Sequence, residues 1–193
     1  MGRFTQSQTN QLATLAFFIT TTLGAIASFA PYSDGKPSEF RLFSFHPLCL
    51  FTSLGLFVVG KLYKTLGGYQ NTKLHGNLSF LGSLCLSVGV AAIYQNKENN
   101  DKPHFTSQHS QYALYLLAVI FFLLLNGLFG LHPDWGKVKT NKNIRKMHHW
   151  GGKFLLVGMC YMCYDGSVKI IKDNQMRMAF AAPLVFLAVL VFA

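Results

Sequence analysis

The chain has 193 residues, of which 51% are hydrophobic and only 12% are charged. Soluble domains carry about 25% charged residues, so this composition excludes an ordinary water-soluble domain and indicates a membrane protein. The net charge of +10 would suit nucleic acid, but the basic residues lie in short segments between apolar stretches. That distribution favours membrane topology and contact with anionic lipid over a nucleic-acid partner.

Six apolar stretches, each long enough to cross a bilayer as a helix, follow one another along the chain. They predict an all-α fold, a six-transmembrane-helix bundle that forms a single membrane domain over residues 1–193. The predicted spans are residues 12–31, 45–63, 74–95, 109–131, 148–168 and 178–193. The first is longer than the apolar part of a signal peptide, about 7–15 residues, and is expected to be a retained span.

The two faces of such a bundle differ in charge. One face is strongly basic, with Asp134 as its acid, whereas the other mixes bases with acids. The basic face carries Arg3, Lys61, Lys64, Lys73, Lys137, Lys139, Lys142, Arg145, Lys146 and Lys153. Since basic loops stay on the cytoplasmic side, we expect both termini there, or on the matrix side in a mitochondrion. The sequence does not identify the organelle.

The fifth span contains three residues with potential chemistry. Cys160 and Cys163 form a CxxC pair, but no second cysteine pair completes a metal site, so small apolar packing is the expected role. Asp165, towards the end of the span, is expected to reach the membrane interface. A part in an ion pathway would call for a second acid within the membrane.

Four consecutive spans open with a histidine: His46, His75, His109, and either His148 or His149. Each one alone would suit a helix cap or the membrane interface, but ionisable groups in membrane helices are costly, and their recurrence requires an explanation. Antiparallel neighbours start at opposite faces, so alternate spans share a face. His46 and His109 are therefore expected on the non-cytoplasmic side, and His75 and the fifth-span histidine on the cytoplasmic side.

Two imidazoles at each membrane level suit haem better than zinc. Zinc takes four protein ligands, or three and an open position, whereas haem iron needs only axial ligands from the protein. Small residues in membrane helices often simply permit helix contact, but together with the histidines those on the same helices favour a slot for a flat ring. They are Ser79, Gly82 and Gly89 on the third span and Gly127 and Gly130 on the fourth.

The adjacent pair His148 and His149 requires a choice. Gly151 and Gly152 follow His148 at helical contact spacing and leave its face open, whereas Lys153 stands four residues after His149. The sequence therefore predicts His148 as the ligand. His149 is expected to cap the helix, reach the interface or contact a haem propionate.

With these residues identified, the chain resembles the cytochrome b561 family over about residues 12–193. The motifs FSFHPLCL, KLHGNLSFLGSL, TSQHSQYAL and HHWGG occur in the family's order and at similar intervals. The chain looks closest to the short members that have no soluble domain. The resemblance implies a four-helix haem-binding core in spans two to five. It also implies two b-type haems with bis-histidine ligation, by His46 with His109 and by His75 with His148.

The resemblance implies a transmembrane oxidoreductase. One electron at a time would pass from a cytoplasmic donor such as ascorbate to a non-cytoplasmic acceptor such as monodehydroascorbate or a ferric chelate. Lys73 matches a basic position near the family's cytoplasmic substrate site, and Lys142, Arg145 and Lys146 would attract anions there. Gln111 stands where the ascorbate-handling branch commonly has tryptophan, so the donor stays open.

Two other functions are compatible with the sequence. The chain could be an accessory subunit of a larger membrane complex, for example a respiratory one, with or without haem. A transporter is less favoured because no paired intramembrane acids or broken helices stand out. The expected partners are membrane lipid, a small-molecule electron donor and acceptor, and a second copy or larger complex.

Overall fold

A computed structural model of the protein describes residues 4–29, 41–171 and 173–192. Within these ranges there are six long α-helices and no strands: α1 (Gln6–Phe29), α2 (Phe45–Thr65), α3 (Tyr69–Glu98), α4 (Gln108–Leu125), α5 (Lys142–Ile170) and α6 (Asn174–Leu190). A 3₁₀ turn, Leu42–Ser44, precedes α2, and a π-helical segment, Asn126–Leu131, continues α4. The all-α prediction is confirmed. Arg3 and the outer ends of the first and last predicted spans lie outside the described residues.

Polar side chains mark where the helices begin. Thr5 and Gln8 exchange hydrogen bonds between side chain and backbone at the start of α1. The side chains of Ser107, Asn141 and Asp173 accept hydrogen bonds from backbone amides in the first turns of α4, α5 and α6. These oxygens replace the acceptors that a first helical turn lacks, so each helix starts at a position set by the sequence.

A two-glycine turn joins α2 to α3. Gly67 and Gly68 have φ angles of +74° and +82°, a conformation that glycine adopts without the steric cost of a Cβ. The turn reverses the chain and makes α2 and α3 antiparallel neighbours. The start of each helix therefore lies beside the end of the other.

In the part of the chain that the structure describes, four helical stretches are long and apolar enough to cross a membrane: Gln6–Phe29, Leu42–Thr65, Tyr69–Glu98 and Gln108–Leu131. Helix α6 is apolar but has 17 residues, and α5 carries charged residues in its first turns. Helices α3 and α5 begin at Tyr69 and Lys142, before the spans predicted from 74 and 148, because a helix can continue past its apolar part into the polar interface. His75 and His148 thus lie one to two turns inside their helices.

The helices pack in two groups, α1 with α2 and α3, and α4 with α5 and α6. Helix α1 lies so close to α2 that a side chain at Gly55 would overlap the Thr20 hydroxyl. The Tyr63 hydroxyl of α2 also donates to Asn10 Oδ1 of α1 over 3.0 Å. Helix α2 also packs along α3, and α4 packs along α5. Helices α3 and α4 hardly touch, so the space between the two groups stays open for a site.

Candidate functional site

The four histidines predicted as haem ligands lie at the two ends of the bundle, two at each end. His46, at the start of α2, meets Gly89 late in α3, and His109, at the start of α4, meets Asp165 late in α5. We call this the His46 end. The opposite end, where α3 and α5 start, is the His75 end, and Asn10 of α1 lies there beside Tyr63 at the end of α2.

At the His75 end, His75 and His148 face each other across the bundle. Their ring centres are 6.3 Å apart and their planes are nearly perpendicular, at 86°. Two imidazoles that bind one metal ion from opposite sides, each at about 2 Å, have ring centres about 6 Å apart. The Nδ1 atoms of both rings are buried and have no hydrogen-bond partner among the described residues. The pair has the spacing that one axially bound iron requires.

His149 points away from this pair. It is exposed and its ring contacts Trp150, with ring centres 5.9 Å apart. The ammonium group of Lys153 lies 5.2 Å from the centre of the Trp150 ring, on the same outer surface. His148 instead packs against the end of α4, where a Cβ on Gly127 would lie 3.3 Å from the imidazole Cε1.

At the His46 end, His46 and His109 line one apolar cavity between α2, α3, α4 and α5. The cavity holds about 720 Å³ of space between protein atoms, including its open mouth. Its other walls include Leu50, Leu86, Leu116, Met159 and Met162. An apolar cavity with two imidazoles at its edge suits a flat, largely apolar macrocycle.

Both histidines of the His46 end have partners at Nδ1. His46 Nδ1 lies 3.0 Å from the carbonyl oxygen of Gly89, and His109 Nδ1 lies 2.7 Å from Asp165 Oδ2. Each ring therefore donates from Nδ1, which leaves Nε2 as the nitrogen with a free lone pair. Sequence reasoning missed both partners. The available signal for Asp165 was its position at the end of span five, which meets the start of span four in an antiparallel bundle.

The small residues of α3 pack against α2. A Cβ on Gly89 would lie 2.5 Å from Leu50 Cδ2, and one on Gly82 would lie 3.0 Å from Phe57 Cε1. These two glycines therefore permit close helix contact, and the interpretation of them as room for a ring was wrong. Gly130 likewise faces the following loop, where its Cβ would lie 3.2 Å from Val138.

Lys73 is held in an ion pair at the His75 end. Its ammonium lies 3.1 Å from Asp134 Oδ2, and it also donates to the Tyr69 hydroxyl over 3.3 Å. The Tyr69 hydroxyl donates to the other oxygen of Asp134. These hydrogen bonds, from Tyr69 and then from Lys73, hold the pKa of Asp134 below its ordinary value. A carboxylate of the chain itself thus already contacts the cation expected to meet an anionic substrate.

Basic residues from two helices surround the His75 end. Lys142, Arg145 and Lys146 are exposed on the first turns of α5. Two lysines of α2 that the site prediction left out lie nearby: Lys64 interacts electrostatically with Arg145, and Lys61 with Lys153. Both lysines belong to the basic face predicted from the sequence, and on that ground they could have been included in the predicted site.

The donor set fits haem. The described residues contain no cluster of three or more histidine, cysteine, aspartate or glutamate side chains placed to hold a metal ion. They do bring together His46 with His109 and His75 with His148, and haem iron would require only two protein ligands. Cys160 and Cys163 are buried in the apolar core as free thiols. Residues 46 with 109, and 75 with 148, are the ones that would hold such a group.

Comparison with known proteins identifies the family. The family model for eukaryotic cytochrome b561 matches residues 45–172, which is more than half of the chain. The match extends from α2 through α5 and includes the four histidines described above. No curated protein matches the chain significantly. The chain therefore belongs to the cytochrome b561 family, whose members are integral membrane proteins that bind haem b and transfer electrons across membranes.

Proposed function

We propose that this protein carries single electrons across its membrane through two b-type haems. One is bound by His75 and His148 and the other by His46 and His109. The electron enters at the His75 end from a cytoplasmic donor such as ascorbate. It leaves at the His46 end to an acceptor such as monodehydroascorbate or a ferric chelate.

The observation that carries the proposal is the separation of 6.3 Å between the ring centres of His75 and His148. Both Nδ1 atoms of this pair are buried, and neither has a well-formed hydrogen bond to a described residue. Burying an unpaired polar atom costs free energy, so a compensating role for the rings is expected. The shared cavity of His46 and His109 supports the second pair.

The chain's own residues would set the conditions for electron transfer. Haem held by these histidines would supply a one-electron redox couple. The leucine and methionine side chains of the cavity exclude water at the His46 end. Lys142, Arg145 and Lys146, with Lys61 and Lys64, make the His75 end positive and would attract an anionic donor or contact haem propionates.

The orientation follows from charge. Basic loops stay on the cytoplasmic or matrix side, so the His75 end, and with it the start of α1, is proposed to face that compartment. Single cysteines at Gln8 and Lys139, in a background with the four native cysteines replaced by alanine, should be labelled from that side by a membrane-impermeant reagent. Asn100→Cys, in the α3–α4 loop, should be labelled from the other side. Labelling of the first two positions from opposite sides would contradict the arrangement.

The ratio of haem to polypeptide in the purified protein tests the function, together with oxidised and reduced spectra. Two low-spin haems per chain are expected. One haem per chain would remove the relay across the membrane. A folded, haem-replete preparation that is high-spin and binds carbon monoxide would contradict bis-histidine ligation, and a chain without haem would instead support an accessory subunit.

A further inference from the structure

A carboxylate contacts one of the four histidines. The imidazole of His109 donates from Nδ1 to Asp165 Oδ2 over 2.7 Å, between the start of α4 and the end of α5. The two side chains are 22% and 27% exposed. A hydrogen bond to a charged acceptor in a partly buried place is stronger than one between neutral groups, so this contact fixes the ring firmly.

Lys169 holds the same carboxylate oxygen. It stands one helical turn after Asp165, and its ammonium lies 2.7 Å from Oδ2. The ammonium attracts the carboxylate and holds it beside His109. It also offsets part of the negative charge that the imidazole experiences. The imidazole of His109 and the ammonium of Lys169 therefore both contact one oxygen of Asp165, which connects the three side chains.

Gly166 leaves room for the imidazole ring of His109 against α5. A Cβ at this position would lie 3.2 Å from His109 Cε1 and 3.9 Å from Nε2. The absence of a side chain lets the imidazole lie directly against α5, with Nδ1 at Asp165. Gly166 and His109 both line the apolar cavity. The nitrogen opposite the carboxylate is therefore the one available to a group in the cavity.

Among the residues that the structure describes, none of the other three histidines has a carboxylate partner. His46 donates to a neutral backbone carbonyl, that of Gly89, over 3.0 Å. His75 and His148 have buried Nδ1 atoms without a hydrogen bond to any described residue. Asp165 is thus the anionic partner of one ligand at one end, and the two ends differ in charge next to the proposed iron sites.

We propose that Asp165 is a positioning residue that fixes the tautomer of His109 and lowers the reduction potential of the haem at the His46 end. Lys169 moderates this effect. The inference rests on the proposed function, in which His109 is an axial ligand. A carboxylate hydrogen-bonded to the far nitrogen of a ligating imidazole raises the basicity of that ligand and favours the more positive, oxidised metal.

Two substitutions with opposite expected shifts test this. Asp165→Asn keeps an acceptor oxygen but removes the charge. It should raise the midpoint potential of the His46-end component by about 59 mV, which is about a tenfold change in the equilibrium constant of a one-electron reduction. Lys169→Gln leaves the carboxylate unopposed and should lower the same potential by a smaller factor. A merely structural role would not reverse sign between the two variants.

The measurement is a spectroelectrochemical titration of the purified holoprotein, with electron paramagnetic resonance of the oxidised low-spin haem as a second readout. The matched control is Glu98→Gln, which removes the acid of another acid–histidine pair, Glu98 with His104 at 2.6 Å, outside the cavity. The potential of the His46-end component should not change in this control. An equal shift there would overturn the inference, because it would reflect general surface charge.

The His46-end component is identified by its absence in His109→Ala. If that variant keeps both components, the proposed ligand set is wrong, which is a failure of the function and not only of this inference. If it loses one component but neither Asp165→Asn nor Lys169→Gln shifts that potential, the inference alone is overturned. Should Asp165→Asn fail to retain haem, Lys169→Gln decides: a lowered potential supports the inference and an unchanged one overturns it.

Discussion

Each end of the bundle holds a pair of histidines, from α2 and α4 at the His46 end and from α3 and α5 at the His75 end, but the two pairs are supported differently. At the His46 end, both Nδ1 atoms donate hydrogen bonds, to a carbonyl and to a carboxylate. At the His75 end, neither Nδ1 atom has a well-formed hydrogen bond to a described residue, and lysines and an arginine outnumber the single carboxylate of Asp134. Identical ligands can therefore serve sites of different potential, because their second partners and surrounding charges differ.

The charges at the two ends predict which of the two sites has the lower reduction potential. Positive charge near the His75 end favours the reduced state of a group bound there, whereas the carboxylate near His109 favours the oxidised state. Under the proposed function, the expected lower-potential site is thus the one facing the acceptor. Each of the following predictions changes one end and uses the other as an internal reference.

The largest effect is expected from the histidines themselves. His75→Ala or His148→Ala should remove the same spectral component, because loss of one axial ligand abolishes low-spin bis-histidine ligation. His149→Ala should keep it, since His149 is exposed beside Trp150. Haem content and reduced spectra at matched folding are the measurement. Loss in His149→Ala with retention in His148→Ala would place the ligand one residue later.

A glycine substitution should damage the His46 end selectively. Gly89→Ala introduces a Cβ 2.5 Å from Leu50 Cδ2 and 3.0 Å from Cys49 Cβ, and Gly89 also supplies the carbonyl that orients His46. Overpacking of this kind costs about 1–3 kcal/mol of stability. The midpoint temperature of thermal unfolding and the haem content should both fall.

The matched control is Gly76→Ala, on the same helix, where an added Cβ meets no atom within 4 Å. Alanine also has a higher helix propensity than glycine, so this variant should be at least as stable as the parent. Equal losses in the two variants would mean that helix α3, and not the contact with α2, is sensitive to substitution.

A moderate effect is expected on the donor side. Lys73→Gln should slow reduction of the protein by an anionic donor several-fold at low salt, with little change for a neutral reductant, because one positive charge is lost near the site. Stopped-flow reduction at low and high ionic strength measures this. Lys102→Gln, which removes a lysine from the other end, is the control. Equal slowing in both variants would exclude a local role for Lys73.

The smallest effect concerns the ion pair of Asp134. Its pKa is lowered in the folded protein, so the pair stabilises the loop above the unfolded pKa of about 3.9 and is lost as pH falls through the folded value. Carboxyl carbon-13 shifts, assigned with Asp134→Asn, should show no titration of this group between pH 8 and 5. A midpoint inside that range would contradict the pairing with Tyr69 and Lys73.

The sequence by itself determined the helical class and the order of the helices, because apolar stretches of bilayer length require internally bonded backbone. It did not give the first turns of α5 and α6, which Asn141 and Asp173 cap several residues before the predicted spans. The alternation of antiparallel spans predicted that His46 shares an end with His109 and that His75 shares the other with the fifth-span histidine, and the structure places them so. That His148 and not His149 is the ligand stays a prediction, drawn from the spacing of Gly151, Gly152 and Lys153.

Only the tertiary structure decided what each polar group contacts. Asp165 and His109 are 56 positions apart in sequence, and their 2.7 Å contact depends on the rotation of α4 and α5 about their axes, which hydropathy does not specify. The same holds for Lys73 with Asp134 and for Gly89, whose close contact is with α2. Periodicity places residues on a helix face, but the pairing of faces follows from packing of the whole bundle, so partners at hydrogen-bonding distance emerge only in three dimensions.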